Sequence, residues 1–220
     1  MHQSTITQMI NDFYISAPSV TLCKSVADIA FILDSSGSVG KKYKQEKNLI
    51  KSLIKAFELA KGGTHAGVVT FSRYATLSIK LNQYFTLSSF DKAVDDIPLM
   101  RGGTRIDRAL KLASNELLKP GNGARKNVPK IVILLTDGLS RGKPVPIAEK
   151  MRKDGITIIA VGITQFINKK QLTQISGGKF YHAKDLAVLK SKSFVGKLAK
   201  TVCLSAVTGI SFHWIFAESV

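Results

Sequence analysis

Acidic residues are scarce in this chain, and it has no long apolar run, internal repeat or low-complexity tract. Only 15 Asp and Glu stand against 32 Lys and Arg, which leaves a formal net charge of +17 over 220 residues. Such an excess of positive charge favours an acidic partner or surface, although it says nothing about the fold. Because even the apolar part of residues 204–217 is short and interrupted, we expect no transmembrane segment.

Histidine and cysteine are also rare, which argues against a zinc site. His2, His65, His182 and His213 stand apart, without a Cys or a second His at the spacing of zinc ligands. Ser36 lacks the sequence context of a nucleophile elbow, and the chain has no phosphate-binding loop with the required spacing. We therefore expect no catalytic residue, and an enzyme is the last of the functions considered.

Ordinary globular features are present. An apolar content of 45% over 220 residues is enough for one domain with a full core. Short apolar runs alternate with segments whose apolar residues recur at helical spacing, such as residues 44–61. This alternation predicts an α/β fold with a Rossmann-like open, mostly parallel sheet, one antiparallel edge strand and helices on both faces. The predicted strands are residues 27–33, 66–71, 75–81 (the antiparallel edge), 130–136, 155–162 and 179–182.

Oxygen-bearing side chains follow the apolar run at residues 27–33. The run ends in Asp34, and Ser36 and Ser38 come next on a tight turn. One carboxylate and two neutral hydroxyls suit a small hard cation, Mg²⁺ above all. Thr104 and Asp137 fall on the same edge of the predicted sheet, where open α/β sheets bind their ligands.

Three segments together resemble the metal-ion-dependent adhesion site, or MIDAS, of von Willebrand factor type A domains. The first is the pattern Asp-x-Ser-x-Ser at residues 34–38. Residues 102–107, Gly-Gly-Thr-Arg-Ile-Asp, resemble the threonine loop of that family. Residues 131–138, which end in Thr-Asp-Gly, resemble its second acidic strand end. The segments occur in the family's order, and the resemblance to matrilin-like and collagen-associated domains covers roughly residues 25–203.

The resemblance implies a role for each of these side chains. Ser36 and Ser38 would bind the metal directly, Asp34 and Thr104 directly or through water, and Asp137 through water. The implied ion is Mg²⁺, with Mn²⁺ or Ca²⁺ as alternatives, and an open position on it would accept an Asp or Glu of a protein partner. The alternative is that both serines are turn hydroxyls, that Thr104 caps a helix and that Asp137 is a turn residue.

Two cysteines, Cys23 and Cys203, bracket the region of resemblance. Their positions alone leave open a disulfide between two domain ends or two unrelated buried thiols. The resemblance to domains with flanking cysteines favours the disulfide, and hence an oxidising compartment. We expect residues 1–22 to be a leader or linker without a visible signal peptide, residues 23–203 to be the domain and residues 204–220 to be a C-terminal tail.

The resemblance favours an extracellular or secreted adhesion module of a matrix or cell-surface protein, whose partners are matrix proteins or acidic glycans. Two alternatives remain. One is an intracellular scaffold for complex assembly, for which free thiols would be the sign. The other is binding of a polyanion such as a sulfated glycan through the lysine-rich segments 41–61 and 179–200. We expect no specific binding of nucleic acid.

Overall fold

The computed structural model describes residues 14–17 and 20–214, with side chains described for residues 23–208. The strands are β1 (Tyr14–Ala17), β2 (Val20–Cys23), β3 (Asp28–Asp34), β4 (His65–Phe71), β5 (Ala75–Ile79), β6 (Lys130–Thr136), β7 (Thr157–Ile163) and β8 (Phe180–Ala183). The helices are α1 (Tyr43–Ile54), α2 (Leu87–Asp96), α3 (Ile106–Leu112), α4 (Pro144–Lys153), α5 (Lys169–Ser176), α6 (Leu186–Lys190) and α7 (Lys192–Trp214).

Six of the strands form one sheet in the order β5-β4-β3-β6-β7-β8, and β1 and β2 form a separate hairpin. All neighbours in the sheet are parallel except β4 and β5, which are antiparallel. Strand β5 lies at one edge, so the predicted fold, with one antiparallel edge strand, is confirmed. The central strands β3 and β6 are almost wholly buried because helices cover both faces of the sheet.

Successive residues of a strand point to opposite faces, and each central strand therefore contributes to two apolar cores. On β3, Ile29, Phe31 and Leu33 pack in one core, while Ala30 and Ile32 pack in the other. Helices α1, α2, α6 and α7 cover the first core, and α3, α4 and α5 cover the second. Burial on both faces explains why these strands are continuous apolar runs in the sequence.

The sheet reverses its direction of winding between β3 and β6. The chain leaves β3 for β4 on one side, and later enters β6 on the other side of β3. The loops that follow the two strands consequently diverge, which leaves a crevice at their carboxyl ends. Asp34 ends β3 and Asp137 directly follows β6, so both carboxylates lie at this crevice.

The helix predicted over residues 44–61 is wrong in its second half, because α1 ends at Ile54. Residues 57 and 59, just after the helix, form isolated β-bridges with other segments. The amide of Cys23 donates to Ala56 O at 2.7 Å, and Phe57 pairs with Cys23 in an isolated bridge. Phe57 is buried in this extended segment. Its apolar side chain continued the helical spacing in the sequence, but it packs in the core from outside the helix.

A disulfide joins Cys23 Sγ to Cys203 Sγ, with the two Cα atoms 5.8 Å apart, as predicted. Helix α7 runs through Cys203 to Trp214 and so crosses the predicted boundary between domain and tail. Residues 1–13, 18–19 and 215–220 of the predicted leader and tail lie outside the described residues, and the domain boundaries stay a prediction. Among the described helices, none has an apolar stretch long enough to cross a bilayer.

Candidate metal site

The serine loop, residues 34–38, begins at the buried end of β3. Asp34 is fully buried, and its Oδ1 accepts a hydrogen bond from Ser36 N at 2.9 Å. This bond folds the loop back over the strand end. Farther along, Gly37 N donates to Gly102 O at 2.9 Å. The serine loop is thereby attached to the threonine loop, residues 102–107.

A chain of hydrogen bonds connects the serine loop to Asp137. Ser36 Oγ lies 3.1 Å from Ser38 Oγ, and Ser38 Oγ donates to Asp137 Oδ1 at 2.7 Å. The other oxygen of that carboxylate, Oδ2, accepts a hydrogen bond from Lys42 Nζ, which also forms an ion pair with it. Four of the five side chains predicted to form the site are thus brought to one end of β3 and β6.

Thr104, the fifth predicted residue, lies across Gly138 from Ser38. A Cβ placed on Gly138 would lie 3.6 Å from Thr104 Oγ1 and 3.5 Å from Ser38 Oγ. The two hydroxyls therefore flank one small space that the missing side chain of Gly138 leaves free. The threonine loop is held there by Arg141 N, which donates to Thr104 O at 3.1 Å.

Thr104 does not cap helix α3. The N-cap is Arg105, whose side chain makes no capping hydrogen bond, and the amide of Ile106 donates instead to Ser140 Oγ at 3.0 Å. Arg105 also holds the carboxylate of Asp107, with hydrogen bonds of 2.8 and 2.6 Å. The guanidinium lowers the pKa of Asp107 below its ordinary value. The hydroxyl of Thr104 is consequently left for another role.

Thr136 is a contributor that the sequence analysis missed. Its hydroxyl donates to Asp34 Oδ2 at 2.6 Å in a fully buried position. The signal was present, since Thr136 precedes Asp137 and ends the strand that pairs with β3. Ser35 was also missed: its Oγ accepts from Met100 N at 2.6 Å and so fixes the chain that leads into the threonine loop.

Burial dominates the electrostatics of this region. It raises the pKa of Asp34 to about 6, although hydrogen bonds from Thr136 and Ser36 act in the opposite direction and the charge of Asp137 adds to the rise. Glu46 on α1 is fully buried, and within the described part of the chain neither of its carboxylate oxygens has a hydrogen-bond partner. Burial, with the nearby charges of Asp34 and Asp137, raises the pKa of Glu46 well above its ordinary value.

These features fit a divalent cation bound by oxygen atoms. Two buried carboxylates and three hydroxyls form an all-oxygen set, which hard ions such as Mg²⁺ and Mn²⁺ accept. Burial, and to a smaller extent the charge of Asp137, raises the pKa of Asp34, and a bound cation would act against both effects. Among the described residues no group of three or more His, Cys, Asp and Glu side chains could hold a metal, so a metal here would depend on the hydroxyls.

The family model of the von Willebrand factor type A domain matches residues 28–194, more than half of the chain. The chain is 32% identical over 168 residues to the human collagen alpha-5(VI) chain. The aligned segment covers 75% of this chain and 6% of that protein. It is 30% identical over 187 residues to the collagen alpha-1(XII) chain of Notophthalmus viridescens, covering 83% of this chain and 20% of that protein. The chain thus spans a small part of these relatives.

Solved structures include proximal thread matrix protein 1 from the mussel byssus. One crystal form superposes with a TM-score of 0.77 at 28% identity, and covers 83% of this chain and 49% of that one. Another structure of the same protein, described as having a zinc-occupied MIDAS motif, gives a TM-score of 0.75 at 30% identity over 83% of this chain and 47% of that one. Residues 28–194, which the family model matches, contain the serine loop, the threonine loop and Asp137. The chain therefore belongs to the von Willebrand factor type A domain family.

Proposed function

We propose that this domain is an adhesion module that binds a protein partner through a divalent metal. Ser36 and Ser38 would bind the metal directly, Asp34 and Thr104 directly or through water, and Asp137 through water. The observation that carries the proposal is the hydrogen-bonded chain from Ser36 through Ser38 to Asp137 beside the space at Gly138. When bound, the metal would supply a positive centre with one position for a partner's Asp or Glu.

Charge arithmetic supports an acidic group as the partner's contact. The two site carboxylates neutralise a divalent ion, and the hydroxyls add no formal charge. Lys42 adds a positive charge beside Asp137. The protein's own groups at a metal-loaded site would therefore be no more than neutralised, and the open position on the ion favours a carboxylate from a partner.

The loops around the site also suit a protein surface. Among the described residues, three of the four large apolar side chains that are exposed lie in loops after β4, β6 and β7, on the carboxyl edge of the sheet: Tyr74, Leu139 and Phe166. Exposed aromatic and aliphatic side chains near a charged site are typical of protein-binding surfaces. They favour a protein as the ligand of the metal site.

The relatives support an extracellular matrix setting. Two are collagen chains, and the solved structures include a matrix protein. The buried disulfide between Cys23 and Cys203 fits an oxidising compartment better than the cytosol, which counts against the intracellular scaffold. We propose Mg²⁺ as the physiological ion. The neighbour with zinc in its MIDAS motif supports divalent metal binding in general.

An enzyme finds no support in the surroundings of the site. The ring of His65 forms hydrogen bonds with the backbone carbonyls of Gly123 and Lys61. The ring of His182 forms one with the carbonyl of Thr164. Neither of these bonds involves a residue of the metal site. Ser36 Oγ contacts Ser38 Oγ, and among the described residues no histidine forms a hydrogen bond with it. We therefore propose a binding role without catalysis.

Titration of the purified domain with MgCl₂ or MnCl₂ alone tests the metal site. We expect saturable binding and a rise in melting temperature, both lost in Ser36→Ala and retained in the matched control Ser52→Ala on the exposed face of α1. A second experiment measures adsorption to immobilised matrix collagens with Mg²⁺ and with EDTA. Metal binding that is absent in the folded protein would contradict the proposal.

A second candidate function is binding of a polyanion along α1. A cavity of about 560 Å³, the lysine groove, lies beside the serine loop, and its lining is rich in lysine. The lining residues are Gly40, Lys41, Tyr43, Lys44, Lys47, Lys51, Asp95 and Leu99. Lys47 is engaged with backbone carbonyls and Lys51 with Asp95, while Lys41 and Lys44 are exposed.

Salt and chelator separate the two candidates. Binding to heparin, used as a sulfated-glycan probe, should weaken steeply with ionic strength and survive EDTA if the lysine groove is responsible. The double variant Lys41→Gln/Lys44→Gln should reduce it further. Metal-bridged binding should disappear with EDTA and depend less on salt. If neither ionic strength nor the double variant changes the affinity for heparin, the lysine groove is excluded as the heparin-binding site.

A further inference from the structure

Lys42 places a positive charge of the protein itself on the metal site. It ends the short 3₁₀ turn Gly40–Lys42 that follows the serine loop, and its Nζ pairs with Asp137 Oδ2. Among the described residues, no other Lys, Arg or His side chain forms an ion pair with Asp34 or Asp137. Lys42 is therefore the cationic side chain that compensates Asp137.

The carboxylates around Lys42 explain why it lies there. Asp34 receives hydrogen bonds on both oxygens, from Ser36 N and from the hydroxyl of Thr136, and all of these donors are neutral. Asp137 receives Ser38 Oγ on one oxygen, and the other oxygen is the acceptor that Lys42 uses. The Asp137 side chain is 0% exposed and that of Lys42 is 24% exposed, so a flexible cation reaches in from the rim.

We propose that Lys42 is a built-in competitor of the metal, which sets how tightly this domain holds a divalent ion. The inference rests on the proposed metal-binding function and concerns the strength of that binding. A metal that uses Asp137 meets the ammonium of Lys42 in the same place. The ammonium must either leave Asp137 or stay and repel the ion, and both alternatives weaken metal binding.

The size of the effect follows from electrostatics. A unit charge about 4 Å from a divalent ion weakens binding roughly 10- to 100-fold when the two are screened as in bulk water, and weaker screening enlarges the effect. The same charge compensates Asp137 when no metal is bound, so it stabilises the metal-free domain. By lowering the affinity for the ion, Lys42 would make the fraction of metal-loaded domain vary with the surrounding concentration of the ion.

The test compares Lys42→Gln with Lys44→Gln, with MgCl₂ or MnCl₂ alone as the titrant in calorimetry. Both variants lose one positive charge, but Lys44 is exposed on α1 and lines the neighbouring groove without pairing with Asp137. We expect Lys42→Gln to bind the ion about tenfold more tightly or better, and Lys44→Gln to stay within about threefold of the parent. Lys42→Arg keeps the charge and should resemble the parent.

Melting temperature in EDTA supplies a second measurement. Lys42→Gln should melt below Lys44→Gln without metal, because Asp137 loses its cation, and the difference should shrink at saturating Mn²⁺. Lys42→Gln that binds the ion no more tightly than Lys44→Gln would overturn the proposal and leave the metal site intact. If the folded parent and Lys42→Gln both fail to bind either ion, the proposed function itself is refuted.

Discussion

Asp28 and Asp34 lie at opposite ends of the same strand, β3, and both are fully buried. Arg125 neutralises Asp28: its Nε and Nη2 donate to Oδ1 at 2.9 and 2.7 Å, and its backbone amide donates to Oδ2 at 2.7 Å. Asp34, within the part of the chain whose side chains are described, accepts hydrogen bonds only from the neutral donors Ser36 and Thr136. The charge of Asp28 is thus neutralised within the protein, whereas the charge of Asp34 is available to an external cation.

The contrast separates a structural carboxylate from a functional one. Arg125 also donates to Gly63 O and Ala27 O, so it ties several segments together at the amino end of the sheet. At the carboxyl end, Lys42 is the one cationic side chain of the described residues that pairs with Asp34 or Asp137. A buried acid whose partner is missing or replaceable is a better candidate for ligand binding than one that is fully paired.

Removing the cation at the amino end should have the largest effect. Arg125→Met leaves Asp28 buried with an unpaired charge, and we expect the free energy of unfolding to fall by about 3–5 kcal/mol. Urea denaturation measures this loss. Arg141→Met, an arginine exposed on the surface, should change stability by about 0.5 kcal/mol or less. Equal stabilities of the two variants would show that Asp28 does not depend on Arg125.

The disulfide belongs to the structural end, since Cys23 lies shortly before β3. Replacing Cys23 and Cys203 together by Ser should cost about 2–4 kcal/mol of stability, because the bond closes a long loop in the unfolded chain. The affinity for Mg²⁺, measured well below the melting temperature, should stay close to that of the parent. A large loss of metal affinity would mean that the two ends of the sheet are coupled.

The unpaired Glu46 provides a pH-dependent comparison near the carboxyl end. Its folded pKa is raised, so the folded state holds a proton that the unfolded state releases, and stability should fall as pH rises above 4.5. Glu46→Met removes the buried carboxyl, and in EDTA at pH 7 it should stabilise the domain by about 1–3 kcal/mol. The gain should shrink toward pH 4. Chemical denaturation at both pH values checks it, and a gain independent of pH would argue against the carboxyl as its cause.

Thr136 gives the smallest expected effect. Thr136→Val removes the hydroxyl that orients Asp34, and we expect Mg²⁺ to bind about tenfold more weakly, in keeping with groups that support metal ligands. Thr70→Val is the matched control, because Thr70 on β4 is also buried and its hydroxyl bonds to Ser78 Oγ on β5 at 2.7 Å. The two affinities are compared by calorimetry. Equal affinities would assign Thr136 a role in packing alone.

Local pattern was sufficient for the sheet. Strands β3 and β6 are buried on both faces and therefore appear in the sequence as nearly unbroken apolar runs of strand length. The same logic failed at residues 55–61, where apolar spacing suggested more helix. Phe57 is buried by bridging to Cys23, a contact 34 positions away that local spacing does not contain.

Part of the candidate site could be expected from residue type and order. Asp34, Ser36, Ser38, Thr104 and Asp137 follow a recognisable pattern, and the structure brings them to one crevice. Their role as metal ligands stays a prediction. The partners that tune them did not follow from the pattern, because their effect depends on which atoms meet: Thr136 on Asp34, and Lys42 on Asp137.

The sequence by itself determined the class of fold and the supply of oxygen side chains at strand ends, because both depend on short-range pattern. Only the tertiary structure decided which buried acids are satisfied. Asp28 and Asp34 are the same residue type on one strand, each beside apolar neighbours in the chain. Arg125 reaches the first from 97 positions away, whereas among residues 23–208 no guanidinium forms an ion pair with the second. Charge compensation depends on distance in space, which the chain's order alone does not contain.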